Sequence, residues 1–170
     1  GTGVANAGAI TGTGLATVSG AVTTASDSNV GTTSAASTLT VGGVFTAANN
    51  LGIVGAGDIV AINAASNFST VNINGAKNVS LRDSNGIILG NGVSSLTGNL
   101  SLQTAGAMTQ TAGITVAGAT TLNAGAANNI TLNNAANNLN SVAVTSGQDV
   151  NIVDANALTV NASSVRSMTA

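Results

Sequence analysis

The sequence predicts an all-β protein that winds as a parallel β-helix, a solenoid of about 20 residues per coil and roughly eight coils. Three observations lead to this fold. Apolar residues alternate with small polar ones, which is the period of a β-strand. The strand pattern recurs along the chain at a regular spacing. Residues that favour helices are scarce, since the chain has no Glu and only one Lys.

The predicted strands fall into two interleaved sets of short segments. The first set begins with a polar residue and continues with two alternating apolar residues: NVSL at 78–81, NLSL at 99–102, NITL at 129–132 and DVNI at 149–152. The second set lies between them: FSTVNI at 68–73, GIIL at 86–89, GITV at 113–116, SVAV at 141–144 and ALTV at 157–160. Strands therefore recur about every ten residues, which gives two or three strands in each coil.

The coil length follows from the first residues of the best-marked strands. In sequence number they are separated by 20, 21, 30 and 20, and ATTL at 119–122 falls inside the long interval. The residues are Asp58, Asn78, Asn99, Asn129 and Asp149. A unit of this length buries its apolar face only by stacking on its neighbours.

A longer repeat lies above the coil. Residues 64–89 match residues 135–160 without a gap at a shift of 71, which places Asp83 on Asp154 and Asn85 on Asn156. This match predicts growth by duplication of whole blocks and one corner structure built twice. Because a shift of 71 corresponds to about three coils, the two Asp residues are expected to lie too far apart to act as a pair.

Core and corner positions are predicted from the same alternation. Val79, Leu81, Ile130 and Leu132 are expected to face inward, while Gly and Asn, which tolerate left-handed backbone, are expected at corners. Stacked Asn side chains are expected to bond along the solenoid axis. Residues 1–36 alternate less clearly and 37–165 more regularly, within one segment, 1–170. Since the chain does not begin with Met, we expect an excerpt of a longer repetitive protein.

Composition excludes several classes of protein. Three cations and five anions give a formal charge of −2, and the chain has two Phe but no Trp or Tyr. Nucleic acid is therefore not expected as a partner, because its recognition needs clustered cations and stacking aromatics. No apolar run is long enough for a membrane helix, so membrane insertion is not expected. Regularly spaced Val, Ile and Leu with little charge argue against disorder.

The segment NNITLNNAANNLNSVAVTSGQDVNIVDANALTV at 128–160 resembles the repeat region of filamentous haemagglutinin-type exoproteins of bacteria, and the likeness extends over residues 37–165. These are adhesins exported by two-partner secretion. The resemblance implies a right-handed β-helix shaft, an extracellular or cell-surface location, and a role in adhesion or in matrix or filament formation. It also implies partners among surface glycans or proteins, and self-association. Autotransporter passengers fit nearly as well, and the Asn-Pro motifs of the family's secretion domain are absent because the chain has no Pro.

No catalytic residue is expected. His and Cys are absent, which removes most nucleophilic triads. The enzymatic alternative is a β-helix polysaccharide-degrading enzyme that would use Lys77, Arg82 and Asp83, with Asp58 close to Asn78 or Lys77 across one coil. A glycan-binding module would need exposed aromatic rings, and only Phe45 and Phe68 are available, with Phe68 aligned to the core-like Leu139.

Neither a cofactor nor a metal is expected. The Asp-x-Asn sequences at 83–85 and 154–156 resemble fragments of calcium loops, but they are predicted to close turns by side-chain to backbone hydrogen bonds. Five Asn-x-Ser/Thr sequons are candidate glycosylation sites, although chance supplies several in a chain this rich in these residues. They begin at Asn67, Asn78, Asn99, Asn129 and Asn161. Native material in which peptide mass mapping finds only unmodified sequons would contradict this prediction.

Overall fold

The computed structural model describes residues 4–5, 9–12 and 14–170, and they form a β-solenoid. Every strand pairing in this part of the chain is parallel, and no helix occurs in it. The solenoid has about seven turns of about 21 residues, close to the predicted eight turns of 20. Early coils are longer than expected, since Leu15 pairs with Thr38 and Val22 with Phe45, both at a shift of 23. The predicted fold class is confirmed.

Nineteen strands build the solenoid in chain order. They are β1 Val4–Ala5, β2 Ala9–Gly12, β3 Leu15–Val18, β4 Val22–Thr24, β5 Ser28–Thr32, β6 Thr38–Val41, β7 Phe45–Val54, β8 Asp58–Ala61, β9 Asn67–Ala76, β10 Val79–Asp83, β11 Ile87–Leu89, β12 Ser94–Leu96, β13 Leu100–Thr104, β14 Met108–Gln110, β15 Ile114–Asn123, β16 Ile130–Leu132, β17 Asn138–Ile152, β18 Thr159–Val160 and β19 Val165–Thr169.

The strands stack in columns, which we call faces. Face A contains β3, β6, β8, β10, β13 and the later halves of β15 and β17. Face B contains β4, the start of β7 and the start of β9. Face C contains β11, β14, β16 and the end of β17. Face D contains β12, the start of β15 and the start of β17.

The pairing explains the long interval between Asn99 and Asn129. On face A, Leu100 pairs with Thr120, so ATTL supplies the next coil as predicted. Asn129 instead precedes β16, which belongs to face C. The interval is therefore a change of face and not a long coil, and the two Asn residues are not successive positions of one column.

The core is a set of stacked aliphatic rows. Val79, Leu81, Ile130 and Leu132 are each at most 3% exposed, which confirms the predicted inward positions. Their outward neighbours are small and polar, as the alternation requires. The two aromatic rings also lie in the core: Phe45 and Phe68 pack edge to face, with ring centroids 5.3 Å apart and planes at 81°. Each such buried side chain contributes about 1.5–3 kcal/mol through removal from water.

Corners use residues that tolerate left-handed or closely packed backbone. Asn91 is the one residue other than Gly with positive φ, at 60°, in the described part of the chain. Gly55 has φ of 98°, and a β-carbon there would overlap the carbonyl group of Thr32 in the preceding coil. Adjacent backbones thus approach one another at this corner more closely than any side chain would allow.

Candidate functional site

The most distinctive polar structure is the corner that contains Asp83. Its carboxylate accepts a 2.7 Å hydrogen bond from the backbone N–H of Phe68, one coil earlier, and another of 2.7 Å from the N–H of Asn85. Ser84 N–H also donates to the Ser66 carbonyl at 2.7 Å. Both carboxylate oxygens are therefore engaged by backbone donors, and Asp83 is only 2% exposed.

Asp154 builds the same corner in the second copy of the long repeat. Its carboxylate accepts hydrogen bonds from Leu139 N–H at 2.7 Å and from Asn156 N–H at 2.9 Å. Ala155 N–H donates to the Asn137 carbonyl at 2.8 Å, as Ser84 does to Ser66. The predicted closure of both Asp-x-Asn turns by side-chain to backbone bonds is confirmed, and so is the expectation of one corner built twice.

Each of these corners ends one face of the solenoid. Asn67 and Phe68 pair with the preceding coil, but no described strand of the following coil pairs with them. The Asp83 carboxylate bonds the Phe68 N–H that would otherwise lack a partner, and Asp154 does so for Leu139. The coils that contain these corners are short, because Val71 pairs with Leu89 and Val142 with Val160, each at a shift of only 18. An unpaired buried N–H would be costly, so the carboxylate replaces a strand.

Burial changes the acidity of this group. Desolvation raises the pKa of the Asp83 carboxyl above its usual 3.8, because burial penalises the charged form. The hydrogen bonds from Asn85 and Phe68 favour the charged form and act in the opposite direction. Asp83 is thus a structural acceptor whose burial opposes its ionisation.

The long repeat is out of phase with the coil. On face A the register runs from Val79 through Leu100 and Thr120 to Val142, which is three coils. Val150, the counterpart of Val79, lies beyond Val142 on the same long strand and belongs to face C. The two Asp corners are therefore three coils apart, as expected, but on different edges of the solenoid. One block advances the chain by three coils and one face.

A second element repeats with the corner. In the turn at 63–66, Ser66 N–H donates to the Asn63 carbonyl at 3.1 Å, and Asn137 N–H donates to the Asn134 carbonyl at the same distance. The polar side chains that end these turns are fully buried. Ser66 Oγ accepts from Phe45 N–H at 3.0 Å, and Asn137 Oδ1 accepts a hydrogen bond of 3.1 Å. The donor to Asn137 is Ile114 N–H.

Sequence reasoning missed these buried polar residues, although a signal was present. The pattern Ala-Ala-Asn/Ser, then Asn/Ser/Thr, then an apolar residue occurs five times, at 35–39, 47–51, 64–68, 126–130 and 135–139. In three of the five copies the residue after Ala-Ala is a buried polar side chain. These residues are Ser37, Ser66 and Asn137.

Asx side chains also form the predicted ladder along the axis. Asp58 Oδ1 accepts from Asn78 Nδ2 at 2.9 Å, which confirms the expected contact across one coil. Asn78 Oδ1 accepts from Asn99 N–H, and Asn99 Oδ1 from Ala119 N–H, both at 2.8 Å. Asn129 Oδ1 likewise accepts from Asp149 N–H at 3.2 Å.

The ladder separates the five sequons into two groups. Asn78, Asn99 and Asn129 use their side-chain oxygen to bind the next coil. Asn67 accepts from Asn85 Nδ2 at 3.2 Å, and the exposed Asn161 side chain has no hydrogen-bond partner in the described structure. Glycosylation stays a prediction, and Asn161 is the sequon whose modification would disturb least.

The residues of the enzymatic alternative do not converge. Asp83 points into the core, whereas its neighbour Arg82 points outward on the same strand. Lys77 is exposed just before that strand and forms no ion pair in the described structure. Asp149 is bonded instead to Arg166, and its other oxygen accepts from Ser167 Oγ at 2.7 Å. Those bonds, first that from Ser167, hold the pKa of Asp149 below its usual value.

Other kinds of site were sought in the described residues. They contain no group of three or more acidic side chains placed to hold a metal ion, and no pocket indents their surface. None of them forms a helix long and apolar enough to span a membrane. Both Phe rings lie in the core, where a sugar does not reach them.

Comparison with known proteins gives one match. Residues 76–146 are similar to a family described as repeats of unknown function (DUF5649). The matched segment has the same length as the shift between the two Asp corners. No curated protein and no solved structure matches the chain.

Proposed function

We propose that this chain is a segment of a structural shaft, part of a bacterial secreted or cell-surface fibre that serves adhesion or matrix formation. The resemblance to filamentous haemagglutinin-type repeats supports the proposal. So does the repeat architecture, in which each coil contacts only its neighbours and length grows by adding blocks. An extracellular location, and glycans or proteins of another surface as partners, belong to the same proposal.

The observation that carries the proposal is the continuity of axial hydrogen bonding through a change of face. Where face B ends, Asp83 binds the Phe68 N–H, and Asp154 does the same at Leu139, where face D ends. The Asx ladder adds a second row of bonds between coils. A chain with these features resists local opening along its whole length, which suits a load-bearing spacer.

A shaft of this kind predicts association between open ends. β18 and β19 pair with β17 on one side, and no described strand pairs with their other side. Such an edge offers unpaired N–H and C=O groups to a second copy. Light scattering over a concentration series should therefore show species that are multiples of the 16.1 kDa chain.

A matched variant separates edge pairing from unspecific aggregation. Val160 lies on β18 and is 45% exposed, so Val160→Lys places a charge on the edge without touching the core. Its multiples should decrease while the circular dichroism spectrum is unchanged. A clean monomer at high concentration in the unmodified chain would count against the proposal, as would cleavage of any member of a polysaccharide panel.

A further inference from the structure

The loop that opens face D contains an Asn-Gly dipeptide in an unusual setting. Asn91 has φ of 60° and Gly92 has φ of 120°, and both residues are exposed. Neither the Asn91 side chain nor the Gly92 N–H takes part in a hydrogen bond within the described structure. The next residue, Val93, is 67% exposed. The reacting groups of this dipeptide are thus accessible to water and free of partners.

Two other Asn-Gly dipeptides provide an internal comparison. Asn85 is held by its N–H bond to Asp83 at 2.7 Å and by its Nδ2 bond to Asn67 at 3.2 Å. Asn74 lies within the long strand β9, paired with Val54 on one side and Ser95 on the other. The same dipeptide therefore occurs at a corner closed by hydrogen bonds, inside a strand and in a free loop.

We propose that Asn91 is a site of spontaneous deamidation, selected among the three Asn-Gly dipeptides by the fold. The Gly92 backbone nitrogen loses its proton to solvent and attacks Asn91 Cγ. The Cγ–Nδ2 bond breaks, ammonia leaves and a five-membered succinimide forms. Water then opens the ring at either carbonyl, giving Asp or isoaspartate. Gly is the favourable second residue because it has no β-carbon to crowd the attack.

The ends of the loop are held while its tip reacts. Gly90 N–H donates to the Val71 carbonyl at 2.9 Å, and Ser94 N–H to the Gly113 carbonyl at 3.0 Å. Asn72 Nδ2 donates to the Gly92 carbonyl at 2.9 Å, which does not engage the attacking nitrogen. The product adds one negative charge, and isoaspartate also adds one methylene to the backbone of this loop. Both changes occur outside the paired strands, so the solenoid should persist after reaction.

The test is ageing of the intact chain at mildly alkaline pH, in buffer and in urea. Peptide mapping with electron-transfer fragmentation locates each converted Asn, and enzymatic methylation of isoaspartate provides a second readout. In buffer, Asn91 should convert at least about tenfold faster than Asn74 or Asn85, since local opening that costs about 1.4 kcal/mol already lowers their reactive population tenfold. In urea the three rates should converge.

Two variants make the assignment specific. Asn91→Gln should abolish the conversion in buffer, whereas the control Asn74→Gln should leave it unchanged. Equal rates at the three positions in buffer would overturn the proposal. So would faster conversion at Asn74 or Asn85, or an unreacted Asn91 after a period in which the urea sample has converted.

Discussion

Asp83 and Phe68 lie in successive coils and are joined by a 2.7 Å hydrogen bond that takes the place of a missing strand. Asp154 and Leu139 repeat the relationship at the same distance. The bond explains how a coil can be shortened, as it is between Val71 and Leu89, while the chain above it keeps its donors satisfied. A solenoid that changes its cross-section in this way still transmits pairing from coil to coil.

Removing the charge at this corner should destabilise the fold. In Asp83→Asn one acceptor oxygen becomes an NH2 group that faces a backbone N–H, so a buried donor loses its partner at a cost of about 1–3 kcal/mol. Asp27→Asn is the control: Asp27 begins the same tripeptide, Asp-Ser-Asn, but is exposed and accepts bonds from Asn50. Urea unfolding followed by circular dichroism should show a large effect for the first variant and about 0.5 kcal/mol or less for the second. Equal effects would show that burial of the carboxylate is not what matters.

The Asp83 corner should also give a pH dependence of known sign. Because its pKa is raised above 3.8 in the folded chain, the folded state binds the proton more tightly than the unfolded state does. The stability contributed by protonated Asp83 is fully present below pH 3.8 and is lost as the pH rises through the raised pKa. The free energy of unfolding of the unmodified chain, minus that of Asp83→Asn, should therefore increase on acidification from neutral pH. A difference that decreases over this window would contradict the assignment.

An unpaired hydroxyl group in the core offers a stabilising substitution. Thr120 is 1% exposed, stacks between Leu100 and Val142, and its Oγ1 has no hydrogen-bond partner. Thr120→Val keeps the shape and removes the unsatisfied group, so the free energy of unfolding should rise by about 1 kcal/mol. The neighbouring Thr121 faces outward and provides the control Thr121→Val, which should change little. A loss of stability in Thr120→Val would reveal a partner for the hydroxyl group.

The repeat also predicts which core substitution is tolerated. Phe68 is 1% exposed and packs against Phe45, whereas its counterpart Leu139 fills the equivalent place with a smaller side chain. Phe68→Leu should cost less than about 1.5 kcal/mol, and Phe68→Ala about 3–5 kcal/mol because it leaves a cavity. Thermal unfolding of the two variants compares them directly. Similar losses for both would mean that the aromatic pair itself is required.

The sequence predicted the periodic features of this fold and missed the features that depend on phase. Alternation at Val79 and Leu81 identified the core because a strand has a period of two residues. The inward role of Asp83 was not predictable, since Asp27 begins the same tripeptide and lies outside. What separates them is whether a strand of the next coil covers the corner, and that depends on the summed lengths of the preceding coils. For the same reason the repeat predicted that Asp154 matches Asp83, but not that it lies on another edge.

The most direct test of the shaft is to lengthen it by one block. Because Val150 is the counterpart of Val79, a second copy of residues 80–150 can be inserted after Val150 with a junction equivalent to the native one. Small-angle X-ray scattering of the monomeric fraction gives the maximum dimension and the cross-sectional radius. We predict that the maximum dimension grows by about 16 Å, which is three coils and one face at about 4.8 Å per coil, while the radius stays constant. An unchanged maximum dimension with a larger radius would contradict the account.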